Sequence, residues 1–268
     1  MSHFKNKVVV VTGGTEGIGK ALVETLLSQE ALVATCGRNF DKLYQLQKFH
    51  PGSQLLTHMA DVSDEKDCKA FIELVIKNYG KIDILINNAG VSMRALVKDV
   101  EIDTLKKVMD INFWGTVYCT KYALPSITQQ KGSIVGITSI AGYRGLPGRS
   151  GYCASKHAVN GWLEALRTEL LPTGVNVLWI APGFTASNIR NVALNKEAKP
   201  QGESPMNEAA MMTSTECATH VLAAIEKRKR TLVLTFQGKQ TVFMNKFFPK
   251  WADSLVHKFF FNNGNLIK

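Results

Sequence analysis

The chain has 268 residues, enough for one large α/β domain or two small ones and too many for a disulfide-stapled mini-domain. With 45 % hydrophobic and 20 % charged residues it has the composition of a globular protein, which excludes general disorder. The 32 Lys+Arg against 22 Asp+Glu give a formal charge of +10, which points to nucleic acid, an anionic membrane surface or an anionic small ligand.

Met1 to Lys7 runs straight into an apolar strand and lacks the apolar core of a signal peptide. That strand, Val8–Thr12, leads into Thr12-Gly13-Gly14-Thr15-Glu16-Gly17-Ile18-Gly19 and a helical pattern over Lys20–Gln29. Glycines between a strand and a helix let the chain turn tightly and bring backbone N–H groups to a pyrophosphate at the helix N-terminus; a plain glycine-rich turn is the alternative. The second strand, Leu32–Cys36, ends in Cys36-Gly37-Arg38-Asn39. An acid that holds a ribose 2′-hydroxyl is expected about 20 residues past the glycine turn. Arg38 stands there instead, which favours the 2′-phosphate of NADP(H) over NAD(H), unless Arg38 is an ordinary surface charge.

A strand at Leu55–Met59, a helix over Glu65–Asn78, a strand at Ile82–Ile86 and a long helical stretch over Ile102–Gln129 come next. They are followed by a strand at Ser133–Thr138, a helix over Tyr152–Leu171 with Val159, Trp162, Leu163, Leu166 and Leu170 as its apolar stripe, and a strand at Val175–Ile180. Residues 195–208 are polar and carry two prolines; they read as a linker or as a lid over a substrate, within a loop spanning about 188–214. Thr231–Thr235 completes the strands. Near-continuous apolar strands alternating with helices describe a single Rossmann-type α/β domain over 1–238, a doubly wound parallel sheet of about seven strands with helices on both faces. A basic, aromatic helical extension follows over 239–268.

Tyr152 and Lys156 lie four residues apart and therefore on one helix face, a spacing that alone is common in helices and mostly structural. A free tyrosine is a poor base at neutral pH, and a neighbouring ammonium favours its phenolate. No stretch approaches the roughly 18 apolar residues of a membrane span. Five scattered cysteines without a Cys-x-x-Cys pair, and six histidines without ligand spacing, argue against a disulfide framework and a metal centre and suit a reducing cytoplasm.

Taken together and in order, these motifs resemble the short-chain dehydrogenase/reductase family over about residues 6–235. The resemblance rests on Thr12 to Gly19, Asp61-Val62, Asn87-Asn88-Ala89-Gly90, Asn112, Ser139, Tyr152-x-x-x-Lys156 and Pro182-Gly183. It implies an oxidoreductase that interconverts a ketone or aldehyde and an alcohol, with Asn112, Ser139, Tyr152 and Lys156 as the catalytic set. Tyr152 would exchange the proton, Ser139 would hold the substrate oxygen, Lys156 would hold the nicotinamide ribose, and Asn112 would hold a water of a proton relay. Gly13, Thr15, Gly17, Ile18, Gly19, Arg38, Asp61, Val62, Asn88, Ala89, Gly90, Pro182, Gly183, Thr185 and Ser187 would surround the cofactor together with Tyr152 and Lys156. His157 has no role in the family and reads as a helix-surface or interface residue.

Two departures stand out. Phe184-Thr185-Ala186-Ser187 replaces the family's x-Val/Ile-x-Thr after Pro182-Gly183, and Glu16 stands where many NADP-dependent members carry a base. Ser139-Ile140-Ala141-Gly142, Ser155-Lys156-His157-Ala158 and the Lys227–Arg230 run resemble the hydroxysteroid and lipid-ketone reductase branch, which includes the dehydrogenase/reductase 7B-like proteins. A homodimer or homotetramer paired through the Tyr152–Leu171 helix is the family's common assembly.

Residues 226–268 hold nine Lys/Arg and two Asp/Glu, so most of the surplus charge lies at this end. Phe243, Met244, Phe247, Phe248, Trp251, Leu255, Val256, Phe259 and Phe260 recur there at helical spacing among Lys246, Lys250 and Lys258, with Pro249 opening a second helix. This reads as a peripheral anchor on anionic membrane, or as aromatics that pack on the domain, cap the substrate cleft or fill an interface. No recognition motif accompanies the charge, so nucleic acid is not expected. A non-catalytic dinucleotide sensor and a membrane-associated scaffold are the competing functional classes.

Overall fold

A computed structural model describes residues 2–52, 54–204 and 206–267. Seven parallel strands form one sheet: β1 (Val8–Thr12), β2 (Leu32–Gly37), β3 (Leu55–Met59), β4 (Ile84–Asn87), β5 (Ser133–Ile137), β6 (Asn176–Ala181) and β7 (Thr231–Val233), in the order β3-β2-β1-β4-β5-β6-β7. The inner strands β1, β4 and β5 are buried along their whole length, because helices cover both faces. One core, with Phe71, Ile127 and Leu163, lies beneath α3 (Glu65–Tyr79), α5 (Gly115–Gln129) and α6 (Ser150–Glu169). The other, with Leu22, Leu26 and Val221, lies beneath α1 (Gly17–Ser28) and α7 (Ser214–Glu226). The connections diverge between β1 and β4, so the crevice at the C-terminal ends of these two strands is where a ligand fits a doubly wound sheet.

Local chemistry fixes the helix starts. Asn39 caps α2 (Phe40–Phe49), and Asp64 accepts from Lys66 and Asp67 at the start of α3. Thr213 and Glu216 form a reciprocal capping box on α7. The long helix expected over Ile102–Gln129 is interrupted: α4 (Ile102–Met109) passes through one π-helical turn at Asp110–Trp114 before α5 begins. The sheet faces that crevice with this turn, and Asn112 lies within it.

The stretch from 195 to 204, expected as a linker or a lid, is hydrogen-bonded to the body of the domain. Arg94 and Ser92 exchange backbone hydrogen bonds with Leu194, Gln201 N–H donates to Ala193, and Glu101 N–H donates to Lys196, so the segment lies stitched to the body. The tail also departs from an all-helical reading. After α8 (Phe236–Phe247) and α9 (Pro249–Phe260) it ends in a hairpin, β8 (Phe261–Asn262) and β9 (Asn265–Leu266), turned by Asn263-Gly264 with both residues at positive φ. Arg144 ties the tail down by bonding Asn245 at 2.8 Å and Asp253 at 2.6 Å.

Candidate active site

A cavity of about 1020 Å³ opens at the crevice, and every sequence-predicted site residue except Asn112 lines it. At one end lies the glycine turn. Gly13 and Gly17 have φ of +70° and +53°, and a Cβ on Gly19 would collide with the Gly13 carbonyl, so the turn needs glycine for both conformation and space. Helix α1 starts without a side-chain cap, since Glu16 at the cap position makes no such bond. Its leading amides therefore face the cavity beside Thr15, Ile18 and Ser187, a cradle that fits the pyrophosphate of a dinucleotide. Thr185 sits opposite, its carbonyl bonded by Arg190 at 2.7 Å.

Beyond the turn, Arg38 and Asp61 face each other at 3.9 Å, and Asp61 also accepts from the Ser63 amide and hydroxyl. Glu16, the residue that counted against a 2′-phosphate, is paired with Lys42 at 2.6 Å, so its charge is offset on the spot. Lys42, in the first turn of α2, lines the same cavity as Arg38.

At the other end, Ser139 follows β5 and does two things. Its hydroxyl accepts from the Ala141 amide at 3.1 Å, capping a short 3₁₀ turn, and it lines the cavity with Tyr152 and lowers the pKa of that phenol. Tyr152 is 8 % exposed, and burial pushes its pKa up while Ser139 and Arg149 pull it down. Lys156 Nζ lies 5.8 Å from the Tyr152 ring and donates to the Ile137 carbonyl at 2.9 Å. Burial lowers the Lys156 pKa to about 8. Burial is the largest influence on both groups, and Arg149 and Arg190 are cations that oppose it at Tyr152.

Asn112 stands behind the cavity. Its carboxamide is committed to the Val91 amide at 2.8 Å, the Val91 carbonyl at 3.0 Å and the Ser155 hydroxyl at 2.9 Å. A Cβ on Gly90 would come within 3.1 Å of Asn112 Oδ1 and 3.5 Å of Lys156 Nζ, so Gly90 is the thin wall between the two. His157 is on the exposed side of α6, its Nδ1 2.8 Å from the Cys153 carbonyl.

Sequence reasoning did not single out Arg149 and Arg190, which line the substrate end. It left open whether the tail caps the cleft, and Met244, Leu255, Val256 and Phe259 form an apolar wall of the cavity, with Phe259 stacked on Phe184 at 6.2 Å. The opposite side of the tail exposes Phe243, Phe247, Phe248 and Trp251. Among the described residues no group of His, Cys, Asp and Glu is placed to hold a metal.

The family model described as short chain dehydrogenase matches residues 7–198. The chain is 35 % identical over 256 residues to dehydrogenase/reductase SDR family member 7B of Mus musculus, covering 92 % of this chain and 79 % of that one. It is 34 % identical over 241 residues to 11-beta-hydroxysteroid dehydrogenase-like 6 of Arabidopsis thaliana, covering 86 % and 70 %. In fold it is similar to a short chain dehydrogenase/reductase from Burkholderia phymatum solved in complex with NAD, with a TM-score of 0.84 at 23 % identity over 94 % of this chain and 96 % of that one.

Proposed function

Because the chain belongs to the short-chain dehydrogenase family, we propose that it is an NADP(H)-dependent oxidoreductase that interconverts a carbonyl and an alcohol on a lipid- or steroid-like substrate. The observation that carries the reading is that Ser139, Tyr152 and Lys156 line the same cavity as the uncapped glycine turn. Bound there, the reduced nicotinamide supplies a hydride. Gly13, Gly17, Ile18, Gly19 and Ser187 hold the pyrophosphate, and Asp61, Val62, Asn88, Ala89 and Gly90 flank the adenosine side. Pro182, Gly183 and Thr185 bound the nicotinamide end. Arg38 supplies the positive charge for a 2′-phosphate, while Glu16 and Lys42 offset each other beside it.

The substrate oxygen sits between Ser139 and Tyr152. Ser139 holds it by a hydrogen bond, and Tyr152 donates its phenolic proton to the developing alkoxide. A buried phenol with a raised pKa stays protonated at neutral pH, the state that carbonyl reduction requires. Lys156 places its ammonium beneath Tyr152 and steadies the negative charge left on the phenolate. Asn112 is a positioning residue: its carboxamide is spent on Val91 and Ser155, and its main-chain carbonyl accepts the Thr116 hydroxyl.

The apolar tail wall supports an amphiphilic or polycyclic substrate. The exposed Phe243, Phe247, Phe248 and Trp251 among Lys246 and Lys250 support contact with an anionic membrane at the mouth of the cavity. Among the described residues no helix is long and apolar enough to cross a membrane. Five unpaired cysteines support a reducing, cytoplasmic setting, and the outer side of α6 is the assigned surface for self-association.

The test is NADPH oxidation over a panel of aliphatic and polycyclic ketones, with Tyr152→Phe alongside. Turnover that depends on Tyr152 is expected. Tight NADPH binding with no Tyr152-dependent turnover would favour a dinucleotide sensor. Flotation with anionic vesicles, before and after removal of residues 240–268, checks the membrane contact, and salt-insensitive or absent binding would sink it.

A further inference from the structure

Three guanidinium groups gather at the substrate end, and two of them are already matched. Arg190 is paired with the Glu208 carboxylate and with the Thr185 carbonyl. Arg94 faces Glu203 at 3.8 Å and the Leu266 carbonyl at 3.5 Å. Arg149 differs. It is 9 % exposed, its Nη1 reaches only the Ser92 hydroxyl at 3.4 Å, and its Nε is buried without a partner. Among the described residues it makes no ion pair, yet it lines the cavity one turn before Tyr152, at the N-cap position of α6.

A guanidinium keeps its charge under all ordinary conditions, so an unmatched one inside the protein is costly unless something anionic arrives. Burial lowers the pKa of Arg149, and the neighbouring Arg190 lowers it further. The amide end of α6 adds positive potential at the same spot. Leu146 and Val192 are apolar neighbours along the lining, so the charge faces a largely hydrocarbon surface.

We propose that Arg149 is a specificity-determining residue that binds an oxyanion, a carboxylate or a phosphate monoester, carried by the substrate close to its carbonyl or alcohol. The proposal rests on the reading that this end of the cavity takes the substrate. Arg149 at the N-cap of α6 and Tyr152 in its first turn line the same cavity and feel each other's charge, so the acid and the reacting carbon lie close together in the substrate. The cofactor's own phosphates do not meet this need, because their cradle lies at the glycine turn and Arg38. The substrate is then an acidic amphiphile, its head at Arg149 and its apolar part along the tail wall.

Calorimetry on the NADPH-saturated protein tests this with three unreactive probes of one chain length: decanoate, decyl phosphate and decanamide. At least one anion is expected to bind about tenfold or more tightly than the amide, and which anion wins identifies the headgroup. Arg149→Gln should abolish that preference and Arg149→Lys should keep part of it, with NADPH affinity as the check on folding. Equal binding of anions and amide by the native protein overturns the proposal, even if both variants fail to fold. A preference unchanged in Arg149→Gln overturns it as well, as does a loss confined to NADPH affinity. Since the readout is binding, Arg149-dependent decanoate affinity in a protein that reduces no carbonyl would count against the hydride-transfer reading alone.

Discussion

The hydroxyl of Thr12 accepts the main-chain N–H of Asn88 at 3.0 Å, and the Asn88 carboxamide returns a hydrogen bond to the Thr12 carbonyl at 2.9 Å. The same hydroxyl takes the Ala89 amide at 3.0 Å, and Asn88 also reaches the Gly13 carbonyl at 3.1 Å. The clamp locks the end of β1 to the end of β4, the two strands between which the dinucleotide is proposed to lie. Thr12→Val would strand two amides and is expected to cost about 1–3 kcal/mol of stability in urea unfolding. It should also weaken NADPH binding, whereas Thr12→Ser should keep both near native values.

The Glu16–Lys42 pair, at 2.6 Å, sets the charge of the adenosine end. NADPH should bind about tenfold or more tightly than NADH, and Arg38→Ala should remove most of that preference. Glu16→Gln should raise NADPH affinity and leave NADH affinity nearly unchanged, because only the 2′-phosphate gains from the freed ammonium. Fluorescence titration with the two cofactors decides the matter. Parity between them in the native protein would refute the role given to Arg38.

Lys156, lowered to about 8 by burial, is charged at neutral pH and neutral well before an exposed lysine would be. The pH profile of kcat/KM for NADPH-dependent reduction should therefore fall above about pH 8, and Lys156→Arg should lose that limb. Stability moves the other way. Between about pH 8 and the ordinary 10.5 the unfolded chain holds the extra proton, so this group makes the fold more stable as pH rises through that window.

Glu208 is held down to about 2, first by its hydrogen bonds from Arg190 and then by that from Ser204. Its contribution to the fold is present above the ordinary 4.5 and is lost as pH falls toward 2. Protection of the amides in 188–204, measured against their intrinsic exchange rate at each pH, should be unchanged down to about pH 5, and Glu208→Gln should lower it already at pH 7. Because Glu208 is partly solvated, the accompanying loss of global stability should be small.

Most of the sheet was legible because each strand is a short apolar run closed by a turn, and because parallel strands need apolar residues on both faces. That the glycine turn, Arg38 and Asp61 share one end of a cavity was legible too, since they are placed by short segments whose spacing is local. Arg149 and Lys42 were hidden for a different reason. A charged residue in a helix reads as a solvated one until the fold shows which wall it faces, and both of these face the cavity. The tail's two sides could not be told apart either, because an aromatic stripe has the same spacing whether it meets protein, lipid or water. The π-turn escaped because residues 102–129 carry one continuous helical pattern, while the irregularity answers the need to bring Asn112 to Val91 and Ser155.

That turn also makes the chain a gauge of its own length. A helix advances about 100° per residue, and a π-turn takes up one residue more than a regular turn, so forcing Asp110–Trp114 into the regular repeat with every residue kept would rotate all of α5 by that angle. Cys119, Ala123 and Ile127, now turned to the core, would swing to the flank while polar neighbours swung inward. A locally more regular helix of the same length would thus scramble half of one core. Natural variants of this chain should accept insertions and deletions in the surface stretch around 196–204 and exclude them from 115–129, however freely single residues there are exchanged.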